Sequence, residues 1–136
     1  MVLMPKRVKY RKYQRGKRRG VATKGSTLAF GEVGLKALGN AWMTNMQIES
    51  CRVSVMRVLK GSGKLWIRIF PHRSVTKKPA ETRMGKGKGM PIHWISIIKR
   101  GRVIFELGGV EENLAKEAMR SAAAKLSFKT RFITRK

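Results

Sequence analysis

A chain of 136 residues with 32 lysines and arginines against seven acidic residues carries a net charge of +25, and a compact body of that charge repels itself unless polyanions neutralise it. Its hydrophobic content of 42%, with three tryptophans, excludes a fully disordered basic tail and fits one domain with a modest core. One cysteine and two histidines exclude a disulfide framework and a conventional four-ligand zinc site, and fit reducing surroundings.

Residues 1–24 hold ten basic side chains and no acidic one: Lys6, Arg7, Lys9, Arg11, Lys12, Arg15, Lys17, Arg18, Arg19 and Lys24. So much like charge cannot collapse alone, and the segment reads as a basic RNA-binding arm preceding a single domain over 25–136. Tyr10 and Tyr13 lie among these cations. Each ring either stacks on an unpaired base beside a held phosphate or packs on the domain.

Over 26–38, Leu28, Phe30 and Val33 alternate with smaller or polar residues and are punctuated by Gly31 and Gly34, which predicts a strand with a bulge. Thr44 and Gln47 form a T-x-x-Q capping box, the signature of a helix start. Ile48, Cys51, Val55, Val58 and Leu59 follow at helical spacing, carrying the helix to about Lys60, and Gly61 and Gly63 end it. Leu65, Ile67 and Ile69 alternate with Trp66, Arg68 and Phe70 in a second strand, which Pro71 stops.

Over 72–91 the only aliphatic residue larger than alanine is Val75, while Lys77, Lys78, Arg83, Lys86 and Lys88 accompany three glycines. The reading is a long basic loop, too long for an idle connection. Segments 93–99 and 103–107 are β-rich and read as a hairpin turning at Arg100-Gly101-Arg102. Glu111 and Glu112 open a second helix, whose apolar stripe is Leu114, Ala118, Met119, Ala122 and Leu126. A last short strand over 128–133 leads to a basic end at Arg135 and Lys136. The order predicts an α+β two-layer sandwich, with two helices on one face of a largely antiparallel sheet.

Catalysis needs groups with tunable protons, yet the chain has no aspartate and its glutamates are scattered. Glu49, Glu112 and Glu117 stand three or four positions from basic residues on predicted helices and read as surface ion pairs. Cys51 lies on an apolar stripe as a small hydrophobe, and His72 and His93 have no local ligand partner. The run Gly61-Ser62-Gly63-Lys64 lacks the P-loop spacer and follows a helix, where a P-loop follows a strand. Gly85-Lys86-Gly87-Lys88-Gly89 falls short of the dinucleotide fingerprint. It does offer bare backbone and charge to a phosphodiester, and Arg83 adds a planar fork for phosphate or a guanine edge. The reading therefore has no catalytic residue, no cofactor and no metal. No apolar run approaches the roughly 18 residues of a membrane span, and residues 1–12 lack the apolar core of a secretory signal.

The run Arg83-Met84-Gly85-Lys86-Gly87-Lys88-Gly89, with Trp94 after four further residues, resembles the signature of the family of large-subunit ribosomal protein sixteen in the bacterial naming. A second signature, Gly63-Lys64-Leu65-Trp66-Ile67-Arg68-Ile69-Phe70-Pro71, is similar to the same family, as are Met4-Pro5-Lys6-Arg7 and Phe30-Gly31, so the likeness spans nearly the whole chain. Gly61 and Ser62 depart from the family's usual basic residue and glycine, and Gly39-Asn40 is a variable spot. The resemblance implies binding to the large ribosomal RNA near the base of the central protuberance, beside the aminoacyl-tRNA site. It further implies that the arm and the glycine-rich loop reach into RNA, that the loop approaches tRNA, and that the peptidyl transfer chemistry belongs to RNA.

Carried over by position, the loop contacts are Arg83, Met84, Gly85, Lys86, Gly87, Lys88 and Gly89, with Lys6, Arg7, Lys9, Arg11 and Lys12 from the arm. Charge alone adds Arg15, Arg18, Arg19, Lys77 and Lys78 as candidate RNA contacts. Expected partners are the large ribosomal RNA, tRNA and neighbouring large-subunit proteins, with no membrane and no homo-oligomer. The expected location is the bacterial cytoplasm, or the matrix or stroma of an organelle. The alternative is a general RNA chaperone or nucleoid-type protein, which would use the same charge without a fixed site. A small enzyme acting on RNA would need a nucleophile or base that the loop lacks.

Overall fold

Residues 3–135 are described by the computed structural model, so Met1, Val2 and the Lys136 expected at the basic end lie outside the described residues. In chain order the elements are β1 (Val33–Ala37), β2 (Ala41–Thr44), α1 (Asn45–Leu59), β3 (Lys64–Ile67) and β4 (Arg73–Lys77). They continue with β5 (Met90–Ile98), β6 (Val103–Gly108), α2 (Glu112–Ala123) and β7 (Thr130–Thr134). The class is α+β with antiparallel sheets.

Local chemistry places both helices. The Thr44 hydroxyl accepts from the Gln47 backbone N–H at 3.2 Å, and the Gln47 side chain accepts from the Thr44 N–H at 2.9 Å, so the capping box is complete. Lys60 takes the left-handed conformation that closes α1, ahead of Gly61. Ile48, Cys51, Val55 and Leu59 are buried along one stripe of α1, while Ala115, Ala118, Met119 and Ala122 form that of α2. The alanines let the two helices approach closely: the Cys51 thiol reaches the Ala122 carbonyl at 3.5 Å. From there α2 rests on β1 and β7, and α1 touches β2 and β5.

The strands divide between two sheets, of order β3-β6-β1-β7 and β2-β5-β4, where a single sheet was expected. The segment expected to form a hairpin makes its turn, with the Arg102 N–H bonded to the Lys99 carbonyl, but its arms part company. Ile98 of β5 pairs with Ala41 of β2, whereas Val103 of β6 pairs with Lys36 of β1. Gly101 also donates to the Ala37 carbonyl, so the turn serves as a crossing between sheets.

Two further differences matter for the site. The strand expected over 26–38 is confined to Val33–Ala37, although its bulge is present as a register shift between Leu35 and Lys36. Ala29, Phe30 and Gly31 leave the ladder because their backbone N–H groups turn to the buried Glu106 carboxylate instead. The loop expected over 72–91 shrinks to 78–89, because β4 and the start of β5 occupy its ends. Pro91 is tolerated in the middle strand of its sheet because it lies opposite Thr76, where the β4–β5 register shifts.

The core gathers Leu35, Met43, Ile48, Cys51, Val55, Ile98, Ile104, Phe105, Leu107 and Met119, and β6 is buried along its whole length.

Candidate nucleic-acid interface

The arm follows the three-stranded sheet and is held chiefly by its own backbone. Arg73 donates to the Gln14 carbonyl at 3.1 Å, and the Ser74 hydroxyl donates to the Arg11 carbonyl. Asn40 donates to the Arg18 carbonyl at 3.5 Å, and Val21 forms a parallel bridge with Arg100. Because main-chain oxygens do the anchoring, the arm's basic side chains remain outside: Lys6, Arg7, Lys9, Arg11, Lys12, Arg15, Arg18 and Arg19 are all exposed.

The loop 78–89 projects between β4 and β5. Gly85, Lys86 and Gly87 have φ of 101°, 58° and 91°, the left-handed region in which glycine costs nothing and Lys86 is strained. A Cβ on Gly85 or Gly87 would meet open space, so these two serve conformation, whereas one on Gly89 would stand 2.7 Å from the Lys77 carbonyl. Lys78 donates to the Gly85 carbonyl at 2.7 Å and so braces the loop. Arg83, Met84, Gly85, Lys86, Gly87, Lys88 and Lys77 are exposed, Met84 at 93%, while Lys78 and Gly89 are half-buried. The loop carries one carboxylate, Glu81.

Arm and loop meet at their backbones. Lys12 donates to the Lys88 carbonyl at 3.1 Å, and Lys88 donates to the Tyr13 carbonyl, joining positions more than seventy residues apart. Of the two tyrosines, Tyr10 is 68% exposed with the Lys9 ammonium 5.6 Å from its ring. Tyr13 is half-buried with the Arg73 guanidinium at 5.8 Å. Where arm, loop and sheet converge there is a cleft of about 360 Å³, lined by Tyr13, Arg15, Trp42, Arg73, Lys88 and Ile95 among others. Arg15 and Arg18 approach the Trp42 ring at 5.6 and 5.1 Å.

Arg73 and Trp42 carry no signal in the sequence as site residues. Arg73 belongs to β4, whose alternation is disguised because the buried residue beside it is the polar Ser74. Trp42 sits in a four-residue strand too short for a periodic signal.

Among the described residues no group of three His, Cys or Glu side chains could hold a metal. Burial, opposed only weakly by Lys125, pushes the Cys51 thiol up to about 11. No helix among the described residues is long and apolar enough to cross a membrane.

Residues 5–133 match the family described as ribosomal protein L16p/L10e. The chain belongs to that family. It is 61% identical over 135 residues to the large ribosomal subunit protein uL16 of Methylacidiphilum infernorum (isolate V4), covering 99% of this chain and 94% of that protein. Against the protein of the same name from Pseudothermotoga lettingae the identity is 58% over 134 residues, covering 98% and 94%. Membership in L16p/L10e makes the chain a ribosomal protein with a structural role and not an enzyme.

Proposed function

We propose that this L16p/L10e protein is a constituent of the large ribosomal subunit that binds the large ribosomal RNA through its arm and its 78–89 loop, near the base of the central protuberance. There it helps shape the aminoacyl-tRNA site, with the loop touching tRNA. One observation carries the reading: two cation-rich segments distant in sequence lie side by side, tied through Lys12 and Lys88, with their charged groups outward. A surface of that kind relieves phosphate repulsion where RNA helices converge and so holds their geometry. The two relatives are bacterial, which supports a cytoplasmic ribosome as its location.

The test is a paired substitution. Arg83→Ala with Lys88→Ala removes the Lys88 tie to Tyr13 but should leave the cooperative unfolding of the body in place, because the loop holds no core residue, and should weaken binding to large ribosomal RNA and its salt dependence. Each lost phosphate contact lowers the magnitude of the log–log salt slope by roughly 0.7–0.9. Accommodation of tRNA on subunits carrying the variant should be impaired. Unfolding of the variant, or unaltered salt dependence, contradicts the reading. Cosedimentation decides against the chaperone alternative if the protein stays with isolated large subunits at moderate salt and does not spread over bulk RNA and DNA.

A further inference from the structure

Two family-like segments, Phe30-Gly31 and the run from Gly63 to Pro71, take no part in the arm or the loop. They meet on the other sheet, around Glu106. The Glu106 side chain is completely buried on β6, yet its carboxylate is fully used. One oxygen accepts from the Ala29 N–H at 2.7 Å and Arg68 at 2.9 Å, and the other accepts from the Phe30 and Gly31 N–H groups at 2.8 and 3.2 Å. Three successive backbone donors are thereby fastened to one side chain. Gly31 is pressed against the same strand, since a Cβ there would stand 2.5 Å from the Leu107 carbonyl oxygen.

All this buried order holds in place a ring left in the open. Phe30 is 61% exposed, and it stacks on Trp66 with ring centroids 6.2 Å apart and planes inclined by 18°. The Arg68 guanidinium, besides pairing with Glu106, lies 5.0 Å from the Phe30 ring, and the exposed Lys64 ammonium lies 5.4 Å from the Trp66 ring. A scattered exposed aromatic needs no explanation. One whose backbone is locked by a buried charge, and whose partner ring is flanked by a cation, is organised before anything binds it.

We infer that Phe30 and Trp66 form a stacking platform for an unpaired RNA base, with Lys64 holding the adjoining phosphate. An apolar protein groove would have to desolvate Lys64 and Arg68, whereas a nucleotide presents a π-face to the rings and an anion to the ammonium. The inference rests on the RNA-binding reading and adds to it a base-reading contact separate from the arm and loop. Trp66 is half-buried, its ring edge filling the space a Cβ on Gly108 would take, and Phe30 is the exposed member of the pair.

The probe is a ten-nucleotide single-stranded RNA and its abasic counterpart of equal charge. Wild-type protein should prefer the base-bearing strand. Phe30→Leu, which stays apolar, should shrink that preference about five- to tenfold, Phe30→Tyr should retain it, and Lys64→Ala should chiefly reduce the salt slope. With 5-iodouridine in the strand, irradiation should give an adduct on the peptide bearing Phe30 or Trp66. If folded Phe30→Leu keeps the full preference, or adducts form only at Tyr10 and Tyr13, the platform is overturned while RNA binding stands. Unchanged RNA binding by Phe30→Leu with loss of a neighbouring subunit protein from assembled particles overturns it in favour of a protein contact. If wild type binds neither strand in dilute salt, both the platform and the RNA-binding reading fail.

Discussion

Glu106 is the residue on which local order most depends, and its role is hidden in the sequence because its partners lie 38 to 77 positions away. Burial raises its pKa, but the N–H groups of Ala29, Phe30 and Gly31 together with Arg68 outweigh burial, and the net shift is downward from 4.5. A depressed carboxylate contributes stability that is complete above the unfolded value and is lost as pH falls through the folded one. Urea midpoints of the wild type should therefore fall on acidification below about pH 4.5, and more steeply than those of Glu106→Gln. At neutral pH that variant should lose about 2–4 kcal/mol, because it unpairs Arg68 and turns an amide toward backbone donors. Cys51, in contrast, is legible from its place on an apolar stripe. With its thiol at about 11 and no exposure, it should resist alkylation at pH 8 in the native state and react only on unfolding. Reaction at the rate of a free thiol would contradict that burial.

At the scale of elements, whatever depends on neighbours within four positions is readable. The T-x-x-Q box marks the start of α1 to the residue, and Thr44→Ala should cost about 1 kcal/mol in chemical denaturation, since the hydroxyl that accepts from the Gln47 N–H is lost while the backbone N–H that donates to the Gln47 side chain remains. A change below a few tenths would mean that water caps the helix equally well. Of the α2 stripe, Ala118, Met119 and Ala122 are likewise visible in sequence, whereas Ala115 is buried unannounced, Leu114 is half-buried and Leu126 lies beyond the end of the helix. Pairing is not local. The Arg100-Gly101-Arg102 turn looks the same whether its arms pair with each other or pass to different sheets, and only the partners of Ile98 and Val103 settle which occurs. The edge strand β4 was also illegible, because its burial depends on an arm some sixty residues earlier in the chain.

For the whole molecule, a charge of +25 makes stability depend on surroundings as much as on packing. The arm and the loop stood out in the sequence as separate runs of cations, but their adjacency did not, since it arises from carbonyl groups that carry no sequence signal. The free protein should gain thermal stability as ionic strength rises, because screening relieves repulsion between exposed cations that few carboxylates offset. A melting temperature that falls steadily with salt would show ion pairs dominating instead.

The central claim is that arm and loop are embedded together in ribosomal RNA, and amine acetylation read by mass spectrometry tests it most directly. Lys6, Lys9, Lys12, Lys86 and Lys88 should react readily in the free protein, where they are exposed, and become protected together in intact large subunits. Equal reaction of these lysines in the free and assembled states would contradict the account.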